Sequence, residues 1–294
     1  MGLPPEILKK IKLLEISTRK LVNSLFAGQY HSRFKGQGMT FSEFREYVAG
    51  DDVRAISWPV TARTGKTHIK KFDEERELTL ILAVDVSGST LFGSEDSLKA
   101  EAITHLAALL GFTAAKNNDH VGLLLYSDQV EHFVPPKKGR AQIQRILRDL
   151  YYHKPRSKGT QLKNATEYLQ GILKKRATIF VFSDFFEEGF GGALRMLSRK
   201  HEAIAVVVQD KSETELPNIG MVDFQDAETG EIMTVDTASA SFRRDYAREV
   251  ASLRAGRDEV FKRARADRID VVSNDDFVDP LIKYFQMRGS RRGA

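Results

Sequence analysis

The chain has 294 residues, with 45 Lys plus Arg against 40 Asp plus Glu and a formal net charge of +5, enough length for one decorated domain or two small ones with a full core. So even a balance argues against a nucleic-acid-binding protein, and the absence of cysteine excludes a disulfide framework, a zinc-thiolate site and a thiol nucleophile. The longest apolar runs, near 78–86 and 177–186, are about half the ~20 residues that a membrane span requires.

Taken in chain order, residues 1–29 read as an amphipathic helix. Ile7, Leu8, Ile11, Leu14, Leu21, Val22 and Leu25 recur at helical spacing, with Lys9, Lys10, Lys12, Arg19 and Lys20 between them. This start carries no secretory leader and, with Glu6 where Ser or Thr is needed, no myristoylation signal, so a cytoplasmic location is expected. Residues 30–77 are polar and punctuated by glycine, with Phe41, Phe44, Tyr47, Ile56 and Trp58 irregularly spaced; little regular structure is expected there. Trp58 is expected to pack on a sheet edge, with Asp51 and Asp52 pairing with Arg54 or Arg63.

From residue 78 to 287 short apolar runs alternate with helical patterns, the mark of βαβ units and a mostly parallel sheet flanked by helices. Strands are predicted at 78–84, 120–126, 177–183, 203–208 and 269–272, and helices at 95–116, 140–151, 162–174, 190–199, 241–267 and 276–287. Phe133 belongs to a short edge strand that Pro135-Pro136 should end. Residues 221–236 predict a hairpin turning at Glu228-Thr229-Gly230. The basic helix 241–267 reads as a solvated outer face around an apolar stripe, and the tail 288–294 as disordered.

The chemistry concentrates where the run LTLILAVDVSGST leaves its strand. Alternate residues of extended chain point the same way, so Asp85, Ser87 and Ser89 are placed to converge on one point past the strand end. Open α/β folds bind ligands at that edge. One acid beside neutral hydroxyls suits a hard divalent ion such as Mg²⁺, which keeps several waters. Such a site demands further oxygen donors from neighbouring strand ends. Asp184, closing the run ATIFVFSD, and Thr160, in the Lys158-Gly159-Thr160 loop, are the candidates. Taken singly, each of these residues is as readily a helix cap.

Together these residues resemble the metal-ion-dependent adhesion site of von Willebrand factor A domains. The segment from Gly50 to Trp58, followed by Ala62-Arg63-Thr64-Gly65-Lys66, is similar to the signature of the DUF58 family, bacterial proteins that place such a segment ahead of an A-like domain. The resemblance implies a Rossmann-like, A-type domain. It also implies metal ligation by Asp85 through water, by Ser87 and Ser89 directly, by Thr160 directly or through water, and by Asp184 through water or from behind the ligands. Mg²⁺, or Mn²⁺ or Ca²⁺ in its place, would keep a position open for an Asp or Glu of a partner protein. The resemblance further implies work beside a MoxR-type AAA+ ATPase, and no catalysis.

Other motifs fail. Gly65-Lys66-Thr67 has Val60 where a phosphate-binding loop needs glycine, no histidine pair has H-x-x-x-H spacing, and no serine sits in G-x-S-x-G. One enzyme reading competes: a haloacid dehalogenase-like phosphatase with Asp85 as nucleophile, assisted by Ser127, Lys174 and Asp184. Against it, Ser87 stands where that chemistry needs a general acid. A third reading is a scaffold with an empty site.

Overall fold

Strands covered by helices on both faces need apolar side chains at almost every position, and the runs singled out above supply them. In a computed structural model, which describes residues 13, 15, 40–73, 78–88, 98–210, 213, 216–225, 230–273 and 278–290, they form the centre of an α/β fold. The elements in order are β1 (Thr40–Glu46), a 3-10 turn (Val53–Ala55), α1 (Trp58–Thr64), β2 (His68–Asp73), β3 (Thr79–Asp85), α2 (Leu98–Lys116), β4 (His120–Tyr126), β5 (Val130–Lys137), α3 (Arg140–Tyr152), α4 (Leu162–Ile172), β6 (Thr178–Ser183), α5 (Phe190–Ser198), β7 (Glu202–Gln209), β8 (Met221–Gln225), β9 (Ile232–Asp236), α6 (Ala240–Ala264), β10 (Asp267–Val272) and α7 (Val278–Ser290).

The six-stranded sheet runs β10-β7-β6-β3-β4-β5, all neighbours parallel except the antiparallel edge strand β5. Its two faces segregate as the two-residue period of a strand requires. Leu80, Leu82, Val84, Leu123, Leu125, Phe180 and Phe182 pack against α2, α3 and α7. Ile81, Ala83, Leu124, Ile179, Val181, Ala205 and Val207 pack against α4, α5 and Phe261 of α6. The chain therefore leaves β3 toward one face and β6 toward the other. Between these adjacent strands lies the switch point where doubly wound sheets open a crevice.

Several expectations are corrected. Residues 40–73 are not irregular: β1 and β2 pair antiparallel, joined by the 3-10 turn and α1. A bulge between Phe41 and Glu43 breaks the alternation that marks a strand in sequence. Trp58 does not pack on a sheet edge; it begins α1 and is 68% exposed. Polar contacts hold that helix instead, with Ser57 N donating to His68 O at 2.8 Å and His68 N to Thr61 Oγ1 at 3.0 Å. Asp51 takes Arg45 as its partner at 2.7 Å, and Asp52 caps the 3-10 turn through Arg54 N. Helix α6 stops at Ala264 because Arg265 adopts a left-handed conformation, φ 50°, and α7 continues to Ser290, into the segment expected as tail. Of the expected N-terminal helix, only Leu13 and Glu15 are among the described residues, both helical, with Glu15 paired to Arg140. The 221–236 hairpin forms as expected, although Glu228 and Thr229 of its turn lie outside the described residues.

Strand β5 runs through Pro135 and Pro136 to Lys137. Proline is tolerated on an edge, where no outer strand needs its missing N–H. The register against β4 shifts between Val121 and Leu123, and Gly122 lies so close to the neighbouring strands that an added Cβ would stand 2.9 Å from both Val134 O and Ile81 Cδ1. Gly122→Ala is expected to destabilise the fold by about 1–3 kcal/mol, read as a lower denaturation midpoint. Trp58, the single tryptophan, is expected to be quenched fully by acrylamide in the native protein; a protected indole would contradict its placement.

Candidate functional site

Asp85 ends β3 and is fully buried, although every residue before it in the strand from Leu80 on is apolar. A carboxylate in that position must be held by donors. Its Oδ1 accepts from Ser87 N and its Oδ2 from Ser183 Oγ, both at 2.9 Å. The second bond crosses from β3 to the end of β6, so it ties together the two strands that flank the switch point. Burial pushes the Asp85 carboxyl up to about 6 against the pull of these bonds, and the charge of Asp184 adds to the rise. Beside it on β4, Tyr126 is in register with Asp85 and wholly buried. Burial first, then the Asp85 charge, push its hydroxyl well upward.

The other expected donors come to the same rim on separate loops. Ser87 is fully buried, and Gly88 N donates to Lys158 O at 2.9 Å, which sets the Asp85 loop against the loop that carries Thr160. Gln161 N in turn donates to Ser127 O at 3.0 Å, so half-buried Thr160 is held between two anchored neighbours. Asp184 follows β6: its Oδ1 accepts from Phe186 N at 3.3 Å, and its carbonyl accepts from Arg257 Nη1 at 2.9 Å. The next residue, Phe185, has φ 56°, a strained value for a side chain of that size. Its ring is packed against Phe190 and Phe261, centroids 5.5 and 5.2 Å away, and that packing fixes the turn. Ser89 lies outside the described residues.

Sequence reasoning missed four residues here. Glu187 turns back to the start of α4, where both its oxygens accept from Leu162 N at 2.9 Å; a carboxylate is favoured at that positive helix end. Burial nevertheless pushes it up to about 7, with Asp85 and Asp184 adding to the rise. Glu131 of β5 binds Ser127 Oγ at 2.8 Å and the backbone N–H groups of Arg156 and Ser157 at 3.1 and 3.2 Å. It thereby shapes the loop that leads to Thr160. Lys99 of α2 is buried with its Nζ 3.9 Å from Asp184 Oδ2 and in contact with Glu213. The only available signal was that Glu187 follows Asp184 by three positions; the other three lie far from Asp85 in sequence and met no pattern. Lys174, the lysine of the phosphatase reading, precedes β6 and so sits at the opposite edge of the sheet.

A buried acid with an elevated proton affinity, a second acid beside it and adjacent hydroxyls make a donor set that gains from a hard cation. Among the described residues, no three His, Cys, Asp or Glu side chains are arranged to hold a metal. An ion here would rest on Asp85, Ser87, Thr160 and Asp184, with water completing its shell as Mg²⁺ prefers. The fit is that of a site with few charged ligands.

Fold and rim together define an α/β protein with acidic residues gathered at a sheet switch point. The chain belongs to the family described as protein of unknown function DUF58, whose model matches residues 43–256. Its relatives include uncharacterized proteins of Mycobacterium bovis and Mycobacterium tuberculosis, each 28% identical over 295 residues, covering 99% of this chain and 92% of theirs. Among solved structures it is similar to an aerotolerance-related membrane protein from Bacteroides fragilis, at 17% identity and TM-score 0.46, covering 73% of this chain and 99% of that one. It is also similar to the conserved hypothetical protein BatB from Bacteroides thetaiotaomicron, at 14% identity and TM-score 0.44, covering 72% and 99%. Among the described residues no helix is long and apolar enough to cross a membrane.

The elevated acids make stability depend on pH. Asp85 rises from 3.8 to about 6 and Glu187 from 4.5 to about 7, so both bind a proton more tightly in the folded chain than in the unfolded one. Their contribution is complete below the unfolded values and is lost as pH rises through the folded ones. In EDTA, the drop in melting temperature between about pH 5 and about pH 7.5 should therefore be smaller in Asp85→Asn and in Glu187→Gln than in the native chain. An unchanged drop in both would contradict the burial assigned to these carboxyls.

Proposed function

We propose that the chain is a metal-dependent protein-binding module of the von Willebrand A type. In this reading Asp85, Ser87, Ser89, Thr160 and Asp184 hold one divalent ion, Mg²⁺ or in its place Mn²⁺ or Ca²⁺, and the ion captures an Asp or Glu of a partner protein. The observation that carries the reading is the meeting of three loops at the switch point, tied by the Ser183–Asp85 and Gly88–Lys158 hydrogen bonds. The strand order, with β3 central and β4 and β6 beside it, supports the A-type assignment.

The chemistry follows from the donor set. Hydroxyl ligands leave a cation electrophilic, whereas a cage of carboxylates would quench it. A partner carboxylate that completes the shell away from water gains more than it would in an exposed ion pair. The chain's own residues orient the ion: Ser183 and Ser87 N fix the Asp85 oxygens, Arg257 fixes the Asp184 backbone, and Glu131 fixes the Thr160 loop. The partner proposed from the family resemblance is a MoxR-type AAA+ ATPase, with the chain as an adaptor between it and a client, located in the cytoplasm.

Pull-down from the native cell is expected to retain a protein in Mg²⁺ and release it in EDTA, and Ser87→Ala is expected to retain little of it. Capture that ignores both changes would remove the metal from the mechanism. Hydrolysis of p-nitrophenyl phosphate that vanishes in Asp85→Asn would instead favour the phosphatase reading, against which stands the remoteness of Lys174.

A further inference from the structure

Lys99 occupies a position that is costly for an ammonium group. It is the only buried lysine among the described residues, 1% exposed, and it lies in α2. Burying a charge is tolerated only where close opposite charges compensate. Asp184 Oδ2 stands 3.9 Å from Nζ, and Glu213 is in direct contact. Glu213 is itself fixed, its Oε2 accepting from Asp210 N at 3.1 Å just past the end of β7. The ammonium thus lies between one carboxylate assigned to the ion and one that is not.

We propose that Lys99 is a resident counter-cation of this rim. Held by Glu213, it offsets the charge of Asp184, so the Lys99–Glu213 pair sets the affinity of the site for metal. The inference rests on the reading that the site takes a divalent ion. Removing the ammonium takes away a positive charge 3.9 Å from Asp184 and leaves Glu213 as an added negative one. Removing the Glu213 charge takes away a negative charge that offsets the ammonium beside Asp184. The two changes act on metal in opposite directions, whereas loss of a merely structural ion pair would weaken binding in both.

Mn²⁺ titration by calorimetry, with melting temperatures in EDTA and in Mn²⁺, tests this on the full chain. Lys99→Met is expected to bind Mn²⁺ about tenfold more tightly or better, to melt lower in EDTA and to show a larger rise on adding Mn²⁺ than the native protein. Glu213→Gln is expected to bind it at least about threefold more weakly. Equal or weaker binding in Lys99→Met overturns the proposal, as does equal or tighter binding in Glu213→Gln. Should Lys99→Met fail to fold even when refolded in Mn²⁺, the direction in Glu213→Gln decides alone. Native binding that disappears in Asp85→Asn while Lys99→Met leaves it unchanged sinks this inference only. Absence of Mn²⁺ binding in the native chain sinks the metal reading and this inference with it.

Discussion

A carboxylate placed at the end of an otherwise apolar, fully covered strand is the constraint from which the rest of this rim follows. Asp85 has no access to water, so its oxygens must find protein donors or a cation. Ser87 N and Ser183 Oγ supply one bond to each oxygen, and neither donor carries charge. The bonds lower the cost of ionisation without cancelling it, as the elevated pKa of about 6 records. A site left in that condition stands to gain from a positive ion, which makes the arrangement a candidate for binding and not only for packing.

The loops around Asp85 are held by parts of the fold that take no part in ligation. Glu131, on the antiparallel edge strand, reaches the backbone of Arg156 and Ser157. Glu131 is the residue left over where the pairing with β4 passes from Val130–Tyr126 to His132–Leu125. Arg257 does similar work from α6, donating to Asp184 O and lying over the Phe186 ring at 4.9 Å. Phe185 keeps its left-handed backbone because aromatic neighbours fill its pocket. Preorganisation of this kind removes the ordering cost that a flexible set of ligands would pay on meeting an ion.

How much of this was legible in the sequence depends on what each feature costs locally. The central strands were legible because full burial demands apolar runs, and Asp85 and Asp184 stood out because an acid abruptly ends such a run. The β1–β2 pair was not, since its bulge disrupts the alternation and, of its described side chains, only Ile69 is buried. Trp58 misled because indole is apolar, while the segment that carries it is anchored by Ser57, Thr61 and His68 instead. Glu131, Glu187, Lys99 and Glu213 were hidden for a different reason. Each acts through a contact made by the folded topology, and a charged residue on a loop, a helix or an edge strand looks like solvent-facing surface until that topology is known.

Lys99 shows how far charge accounting on the assembled rim can go beyond the motif. The motif names oxygen donors and so describes a site that wants positive charge. The fold adds a buried ammonium beside that site and then a carboxylate on the far side of it. An arrangement optimised for stability alone would replace such an ion pair with apolar groups of similar volume at little loss. On the proposed function, its presence beside Asp184 would let the rim stay folded with and without a divalent ion, because a fixed internal cation limits the repulsion among Asp85, Asp184 and Glu187. The same cation necessarily weakens the hold on any ion that enters. On the proposed function, capture of a partner through the metal would couple three equilibria, ion, partner and the Lys99–Glu213 pair, and a carboxylate brought by the partner would tip the balance toward the ion-bound state.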